Sequence, residues 1–191
     1  LLKPLIRSDF ILIGPGSPTY AVRQLFGSLL WKSITDRWRD GATLCFSSAG
    51  ALACGKFTLP VYEIYKVGED LHWIDGLNLF QKIGTPLTII THWNNTEGGK
   101  NLDTKYCFMG QLRFNKLLKL LPKNETIIGI DENTAIIFDF ARSFYYLEGK
   151  GGATLIKNEK SLKIARGKYY SFESINEFKI LESKNPRKSQ N

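Results

Sequence analysis

The sequence is poor in the features that would bind a metal, build a disulfide framework or cross a membrane. Its three cysteines, an odd number, have no metal-like spacing, which argues for a reducing compartment and against disulfides or a zinc site. No stretch approaches the run of about 20 apolar residues that spans a bilayer, and the N-terminus lacks a signal-peptide layout. We therefore expect a cytoplasmic protein with no metal, no cofactor and no membrane partner.

The chain also lacks a basic stripe interleaved with aromatic residues, although its formal net charge is +8. Basic faces bind phosphate, so a nucleic-acid-binding domain is the alternative that charge alone supports. The lysines are spread along the chain, however, and they are densest in its last residues, 183–191, whose composition is typical of a disordered end. We interpret the charge as a solvated surface and do not expect nucleic-acid binding.

Length and composition indicate one globular domain. A chain of 191 residues is long enough for one well-packed core and too short for two comfortable ones. Apolar residues make up 43% of it and charged residues 23%, as in ordinary globular proteins. We assign residues 1–182 to a single α/β domain and residues 183–191 to a disordered basic tail.

Residues 43–51, which read T-L-C-F-S-S-A-G-A, contain the strongest candidate nucleophile. A short apolar strand runs into small residues within two positions, and such a bend holds its residue in a cramped backbone geometry beside the free N–H groups of a helix. That environment favours Ser48 as a nucleophile. The pattern G-x-S-x-G is matched only in part, because Phe46 stands where the first glycine should be. The alternative is that the small residues merely let a helix pack closely.

The N-terminal part predicts a strand, a loop and a helix. Phe10–Ile13 is a continuous apolar run, as expected for a strand buried on both faces. In the loop Gly14–Thr19, Ser17 can cap a helix whose first residue is Pro18. Apolar spacing then predicts one helix that closes at Asp40. The loop either lends a backbone N–H to an oxyanion or is a plain tight turn.

His92 is the histidine that the sequence marks for chemistry. Thr88–Thr91 predicts a buried strand, and His92 follows it directly. At the carboxyl end of a parallel strand, His92 would lie where open α/β sheets bind ligands. The other histidine, His72, falls in the aromatic and charged segment 59–77, which we interpret as a covering loop, and a surface role suits it.

Alternating strands and helices, followed by short strands with glycine turns, predict the fold. We expect an α/β three-layer sandwich with a mainly parallel sheet and C-terminal β-hairpins. Gly110–Leu121 has the apolar spacing of a helix, and Thr126–Ile130 predicts a strand that leads into Glu132. Because the carboxyl ends of parallel strands meet at one edge, Ser48, His92 and Glu132 should gather there.

Several segments resemble the dipeptidase E and cyanophycinase group of serine peptidases, which has the class I glutamine amidotransferase-like fold. They are G-P-G-S-P-T-Y at 14–20, S-S-A-G-A at 47–51, P-V-Y-E-I-Y-K-V-G-E-D at 60–70, H-W-N-N-T-E-G-G at 92–99 and G-I-D-E-N-T-A at 129–135. These segments are spread over most of Asp9–Asp139 and are together far more specific than the serine motif alone. The chain looks closest to the uncharacterised cyanophycinase-like branch.

The resemblance implies a role for each matching residue. Ser48 matches the family nucleophile, and His92 matches its general base. The backbone N–H groups of Ala49 and Gly16 would form the oxyanion hole.

Two glutamates match positions where the family carries an acid that orients the histidine. Glu63 follows the serine at a family-like distance, and Glu132 lies in the D-E-x-x-A segment. We favour Glu132, because a strand end is rigid, and we keep both as candidates.

The sequence also departs from the family. Phe46 replaces the family glycine before the serine, and Ile90–Thr91 lack the polar pair that cyanophycinase places before its histidine. The basic substrate-binding residues of the family do not map cleanly onto this chain. Candidate substrate contacts, assigned by position alone, are Asn94, Asn95, Glu97 and Arg113.

The expected activity is that of a serine-type hydrolase that cleaves a peptide or amide bond through an acyl-enzyme, with aspartyl or β-aspartyl substrates implied by the resemblance. The alternative is a non-catalytic member of the fold that binds a small molecule or peptide. The family also has strands upstream of the region that begins at Asp9, so we expect N-terminal strands to be missing here. A missing segment or a homodimer partner would then complete the sheet, whose edge is otherwise uncovered.

Overall fold

The computed structural model describes residues 3–84 and 86–183, so the predicted basic tail beyond Ser183 lies outside the described residues. The α-helices are α1 Lys3–Ile6, α2 Pro18–Leu25, α3 Leu29–Arg39, α4 Ala49–Cys54, α5 Gly110–Leu120 and α6 Glu173–Asn176. A π-helix covers Glu63–Val67, and a 3-10 helix covers Leu79–Ile83. Of the described helices, none has the length and apolar character needed to cross a membrane.

The strands form four sheets within the described residues. They are β1 Phe10–Ile13, β2 Thr43–Phe46, β3 Phe57–Thr58, β4 Ile74–Asp75, β5 Thr88–Ile90, β6 Ile127–Ile130, β7 Thr134–Asp139, β8 Phe144–Gly149, β9 Ala153–Lys157, β10 Lys160–Ile164, β11 Tyr169–Ser171 and β12 Glu182–Ser183. Two sheets have four strands, in the orders β10-β9-β6-β5 and β12-β11-β8-β7, and two have a single pair, β1-β2 and β3-β4.

The α/β class is confirmed, but the mainly parallel sheet and the three-layer sandwich are not. Among the described strands, only β1 with β2 and β5 with β6 pair in parallel. The other ladders are antiparallel. Most of these ladders lie in the chain after β6, where short turns join β7 to β8 and β9 to β10, and short connections of that kind pair strands antiparallel.

Strands β5 and β6 are buried on both faces, as their continuous apolar runs predict. Every residue of these two strands is buried. On one face Ile128 belongs to a cluster with Tyr145 and Leu155, and on the other Ile90 belongs to a cluster with Phe114 of α5. The two strands that lead to His92 and Glu132 therefore start from the packed interior.

Strand β1 is not buried on both faces, so that prediction is wrong. Ile11 is buried, but Phe10 and Leu12 are each 59% exposed. Among the described residues β1 pairs only with β2. Phe10 and Leu12 lie on the same face of β1, because side chains alternate along a strand, and no described layer covers that face. The apolar run of β1 is typical of a core strand, but one face of this strand is exposed to solvent.

The segment between β1 and β2 forms two helices, where the apolar spacing predicts one. Ser17 caps α2 as expected, because its hydroxyl accepts a hydrogen bond from the Tyr20 N–H at 3.1 Å, and Pro18 is the first helical residue. The helix stops before Gly27, which has φ of 67°, and Ser28 then caps α3. A left-handed glycine and a new N-cap outweigh apolar spacing that continues past them.

Segment 59–77 contains regular structure that the prediction of a covering loop missed. The π-helix begins at Glu63, and β4, at the end of the segment, pairs antiparallel with β3. The Tyr65 ring of the π-helix lies 5.5 Å from the Phe108 ring, centroid to centroid. A π-helix is rare and is frequently found at functional sites.

Candidate active site

The backbone at Ser48 has the shape of a nucleophile elbow. Ser48 lies between β2 and α4 with φ of 50° and ψ of −109°, a conformation that residues other than glycine rarely adopt. Its hydroxyl makes no capping hydrogen bond to α4, so it is directed elsewhere. The elbow forms although Phe46 occupies the position of the first glycine in the pattern.

Gly50 allows α4 to lie against the loop that follows β1. A Cβ at this position would collide with the carbonyl oxygen of Ile13 and would lie 3.1 Å from that of Gly14. All residues of α4 are buried, as its small-residue sequence predicts. The close approach brings the loop Gly14–Thr19 alongside the amino end of α4.

His92 follows β5 and is also held in a left-handed backbone conformation, with φ of 52°. The N–H of Trp93 donates to the carbonyl of Ile130 at 3.1 Å, and the N–H of Cys107 donates to the carbonyl of His92 at 3.2 Å. The first bond fixes the chain after His92 to the end of β6, and the second fixes His92 to the segment before α5. Backbone strain of this kind persists only where the surroundings impose it.

Ser48, His92 and Glu132 form a continuous hydrogen-bonded chain. The Ser48 Oγ lies 3.0 Å from Nε2 of His92, and Nδ1 of the same ring lies 3.1 Å from Oε1 of Glu132. A carboxylate only accepts hydrogen bonds, so Nδ1 carries the proton and Nε2 accepts from the serine hydroxyl. The His92 and Glu132 side chains are 32% and 31% exposed, which leaves the site open to solvent.

Two asparagines hold Glu132 in place. Asn95, buried and 1% exposed, donates its side-chain N–H to Oε1 of Glu132 at 2.6 Å. Asn94 accepts the backbone N–H of Glu132 through Oδ1 at 2.8 Å. The hydrogen bond from Asn95, and after it the hydrogen bond and charge of His92, keep the pKa of Glu132 below its ordinary value. Both asparagines, expected to contact substrate, are thus turned towards the acid.

Glu63, the other candidate acid, is not the carboxylate beside His92. It begins the π-helix, and within the described part of the chain its Oε2 is buried without a hydrogen-bond partner. Glu132 occupies the position next to Nδ1 of His92 instead. Across residues 3–84 and 86–183, no group of three or more His, Cys, Asp or Glu side chains is arranged to hold a metal ion.

The two backbone N–H groups that the sequence assigns to an oxyanion hole, those of Ala49 and Gly16, have no acceptor among the described residues. Ala49 is the first residue of α4, so its N–H has no partner inside the helix. Gly16, with φ of 147°, lies in the loop that Gly50 brings close to α4. Over the described residues, neither N–H donates to another protein group. An oxyanion hole requires free N–H donors, and these two N–H groups stay candidates for that role.

No protein-family model matches the chain, and no curated protein matches it either. Among solved structures, it is similar to the crystal structure of a peptidase from an acI-B1 Actinobacterium, with a TM-score of 0.69 and 20% sequence identity over 90% of this chain. The two proteins share a fold. This chain spans 62% of the length of the actinobacterial protein.

A second structure, of a candidate peptidase E protein from Listeria monocytogenes EGD-e, is 18% identical over 84% of this chain. This chain spans 61% of its length, and the TM-score is 0.45. A score of that size is too low to establish a common fold. The likeness to the actinobacterial peptidase, at 20% identity, concerns the fold alone.

The remaining two candidate substrate contacts lie in different settings. Arg113 donates from Nε to the carbonyl of Met109 at 2.7 Å and from Nη2 to that of Phe108 at 2.9 Å. Its guanidinium is therefore engaged with the backbone. Glu97 is exposed, and its backbone N–H donates to Oδ1 of Asn95 at 3.1 Å. A substrate contact from Glu97 stays a prediction.

Sequence reasoning missed Phe108, whose ring lies 5.7 Å from the His92 ring, centroid to centroid. Phe108 closes a run of three residues with positive φ, which begins at Tyr106. Glycine and asparagine are the usual sequence signals for positive φ, and this run contains neither. The only local signal is the Gly110 that follows, whose φ is 68°.

Proposed function

We propose that this protein is a serine-type hydrolase that cleaves a peptide or amide bond. The observation that carries the proposal is the 3.0 Å separation between the Ser48 Oγ and Nε2 of His92, with Ser48 on a strained elbow. The shared fold with a protein named as a peptidase agrees with it. The Glu132 carboxylate supplies the third group of the proposed Ser-His-Glu triad.

In the proposed acylation step, the Ser48 Oγ attacks the carbonyl carbon of the substrate while Nε2 of His92 takes the hydroxyl proton. The imidazolium that forms is stabilised by the Glu132 carboxylate at Nδ1. When the tetrahedral intermediate collapses, the C–N bond breaks and the leaving amine takes the proton from Nε2. The acyl group stays on Ser48 as an ester.

The negative charge of the tetrahedral intermediate needs hydrogen-bond donors. The N–H groups of Ala49 and Gly16 are proposed to supply them, because neither is used elsewhere in the described fold. One donor of this kind is worth about 3 kcal/mol of barrier lowering. No side-chain donor is needed for this role.

Deacylation repeats the same chemistry with water. Nε2 of His92, unprotonated again after the amine has left, takes a proton from a water molecule that attacks the ester carbonyl. The C–O bond to Ser48 breaks, and the proton on Nε2 returns to the Ser48 Oγ. The products are an amine and a carboxylic acid, and the protein is regenerated.

The substrate class follows only from the resemblance to the dipeptidase E and cyanophycinase group. We infer from it that aspartyl or β-aspartyl bonds are the first to test. Arg113, the basic residue among the candidate substrate contacts assigned by position, is bonded to backbone carbonyls. The proposal therefore also includes hydrolysis of peptide bonds that do not involve aspartyl residues.

The proposal is tested with a fluorophosphonate probe and mass spectrometry of the labelled peptide. We expect labelling of the native protein at Ser48 and none in Ser48→Ala. The matched control is Ser47→Ala, because Ser47 is the adjacent, exposed serine, and it should label like the native chain. The melting temperatures of both variants should lie close to the native value. Labelling that persists in Ser48→Ala would contradict the nucleophile assignment.

The alternative is a non-catalytic binder of the same fold, and Phe46 in place of the family glycine is the observation that favours it. Aspartyl and β-aspartyl dipeptides separate the two functions. A hydrolase consumes a dipeptide and releases free amino acids, which chromatography detects. A binder raises the melting temperature and leaves the dipeptide intact. Turnover that is lost in Ser48→Ala would exclude the binder.

A further inference from the structure

A short left-handed turn runs beside His92. Tyr106, Cys107 and Phe108 have φ of 56°, 55° and 66°, although none of them is glycine. Residues other than glycine enter this region as single positions, because their Cβ crowds the following carbonyl. Three in succession require surroundings that fix them in place.

The turn is fixed by hydrogen bonds to the backbone of His92 and Trp93. The Cys107 N–H donates to the carbonyl of His92 at 3.2 Å, and the Tyr106 N–H donates to the carbonyl of Trp93 at 3.1 Å. The Cys107 side chain is buried, as is that of Met109 directly after the turn. The strained backbone at His92 and the strained turn are therefore two parts of one hydrogen-bonded unit.

Phe108 occupies the end of the turn that reaches the imidazole. Its ring lies 5.7 Å from the His92 ring and 5.5 Å from the Tyr65 ring of the π-helix, centroid to centroid. Both separations are typical of aromatic contacts, so the Phe108 ring packs against the imidazole and against the phenol.

Arg113 holds the same residue through the backbone. Nη2 donates to the carbonyl of Phe108 at 2.9 Å, and Nε donates to the carbonyl of Met109 at 2.7 Å. The guanidinium carbon also lies 5.6 Å from the Tyr65 ring centroid. A planar guanidinium can bond two carbonyls and stack on a ring at once, which a lysine cannot do.

We propose that Phe108 is a positioning residue for His92, and that Arg113 acts through Phe108. The inference rests on the hydrolase function proposed above and adds to it what holds the base in line with the nucleophile. The Phe108 ring packs against the imidazole and limits its rotation. The turn and Arg113 prevent that ring from moving away, so Nε2 stays within hydrogen-bond reach of Ser48.

The kinetic test compares two variants by the rate of fluorophosphonate labelling at saturating probe and by the probe concentration that gives half that rate. In Phe108→Leu and Arg113→Lys, the saturating rate should fall about 10- to 100-fold, since a displacement of about 1 Å in a reacting group costs that much. The half-saturating concentration should stay within about twofold, because neither side chain binds the probe. Phe108→Tyr, which keeps the ring, should be labelled at the native saturating rate.

Matched controls carry the same substitutions elsewhere. Phe26→Leu removes a ring that is 67% exposed, and Arg23→Lys changes an exposed arginine of α2. Both should label at the native rate. A native rate in Phe108→Leu would overturn the proposal. A higher half-saturating concentration with an unchanged rate would overturn it too, since that marks a substrate contact.

A spectroscopic measurement separates this inference from the hydrolase function. The chain has two histidines, so in a His72→Gln background the imidazole N–H resonances belong to His92 alone. The Nδ1–H donated to Glu132 should give a sharp downfield proton resonance that broadens or shifts in Phe108→Leu and persists in Phe26→Leu. An unchanged resonance in Phe108→Leu would overturn the positioning role. If the native chain is not labelled at all, the hydrolase function fails and this resonance alone decides the inference.

Discussion

Ser48 and His92 are hydrogen-bonded to each other, yet the strands that lead to them have very different surroundings. β2, before Ser48, pairs among the described strands only with β1, whose Phe10 and Leu12 face solvent. β5, before His92, is buried throughout and pairs with the equally buried β6. Ser48 thus follows a strand in the more open part of the molecule, whereas His92 and Glu132 follow strands of its packed interior.

The difference teaches that the two halves of the site are held by different means. On the His92 side there are three separate contacts. Trp93 is hydrogen-bonded to the end of β6, Asn95 donates to the Glu132 carboxylate, and the Phe108 ring lies beside the His92 ring. On the Ser48 side, positioning comes from backbone geometry over a few residues, the elbow and the close approach at Gly50. Changes in the interior should therefore act through stability, and changes near Ser48 should act through local geometry.

The largest effect is expected for Ile128→Ala in β6. Ile128 is fully buried in the interior cluster, and the truncation should lower the free energy of unfolding by about 4 kcal/mol through lost burial and a cavity. Leu12→Ala makes a similar truncation in β1, where the side chain is exposed. It should change the free energy of unfolding by no more than about 0.5 kcal/mol. Urea denaturation of both variants measures the contrast. Equal losses would contradict the comparison between the two regions.

Gly50→Ala should have a smaller effect on stability and a larger one on the site. The added Cβ meets the carbonyl oxygen of Ile13, which is backbone and cannot move aside cheaply. We expect a loss of about 2 kcal/mol in the free energy of unfolding, as for other overpacked positions, and slower labelling of Ser48. Gly14→Ala is the control, because a Cβ there meets no atom within 4 Å. Normal labelling in Gly50→Ala would show that α4 tolerates a shift.

The smallest effect is expected for Asn95→Ala, and it should depend on pH. Without the Asn95 hydrogen bond, the pKa of Glu132 should rise towards its ordinary value. A carboxyl group whose pKa is lowered by folding stabilises the folded state above its unfolded pKa, and that contribution disappears as the pH falls through the folded pKa. The native chain should therefore exceed Asn95→Ala in stability most at neutral pH and progressively less in acid.

The pKa of Glu132 can be followed directly by the NMR signal of its carboxyl carbon in both proteins. Asn94→Ala is the matched control, because Asn94 bonds the backbone N–H of Glu132 and not its carboxylate. It should leave the titration of Glu132 close to native. An identical titration in Asn95→Ala and the native chain would mean that another group keeps the carboxylate ionised.

Much of the element order could be read from the sequence. The apolar runs of β5 and β6 are confirmed as buried strands, and the Ser17-Pro18 start of α2 is confirmed as well. These features depend on neighbours along the chain, so local patterns suffice to predict them. The predictions that failed concern which parts of the chain pack against or pair with an element. The exposure of Phe10 and the pairing direction of the later strands depend on residues distant in sequence.

The site shows the same division. Ser48, His92 and Glu132 each come soon after a strand, as the sequence predicts. However, β2 pairs with β1 in a sheet separate from that of β5 and β6, so a shared sheet edge explains only the meeting of His92 and Glu132. Which glutamate faces His92 could not be read from spacing, since Glu63 and Glu132 both suited it. The reach of each side chain depends on the path of the backbone after its strand, and that path is set by tertiary bonds such as the one between Trp93 and Ile130.

The sequence by itself determined which groups are available for chemistry: a serine after a short strand, one histidine at a strand end, and few cysteines. Only the tertiary structure decided which of these groups meet, that Asn95 donates a hydrogen bond to Glu132, and that the Phe108 ring lies beside His92. The physical reason is that strand and helix patterns arise from side chains a few positions apart. A hydrogen bond between residues 40 positions apart, such as that from His92 to Glu132, exists only after the sheet has formed.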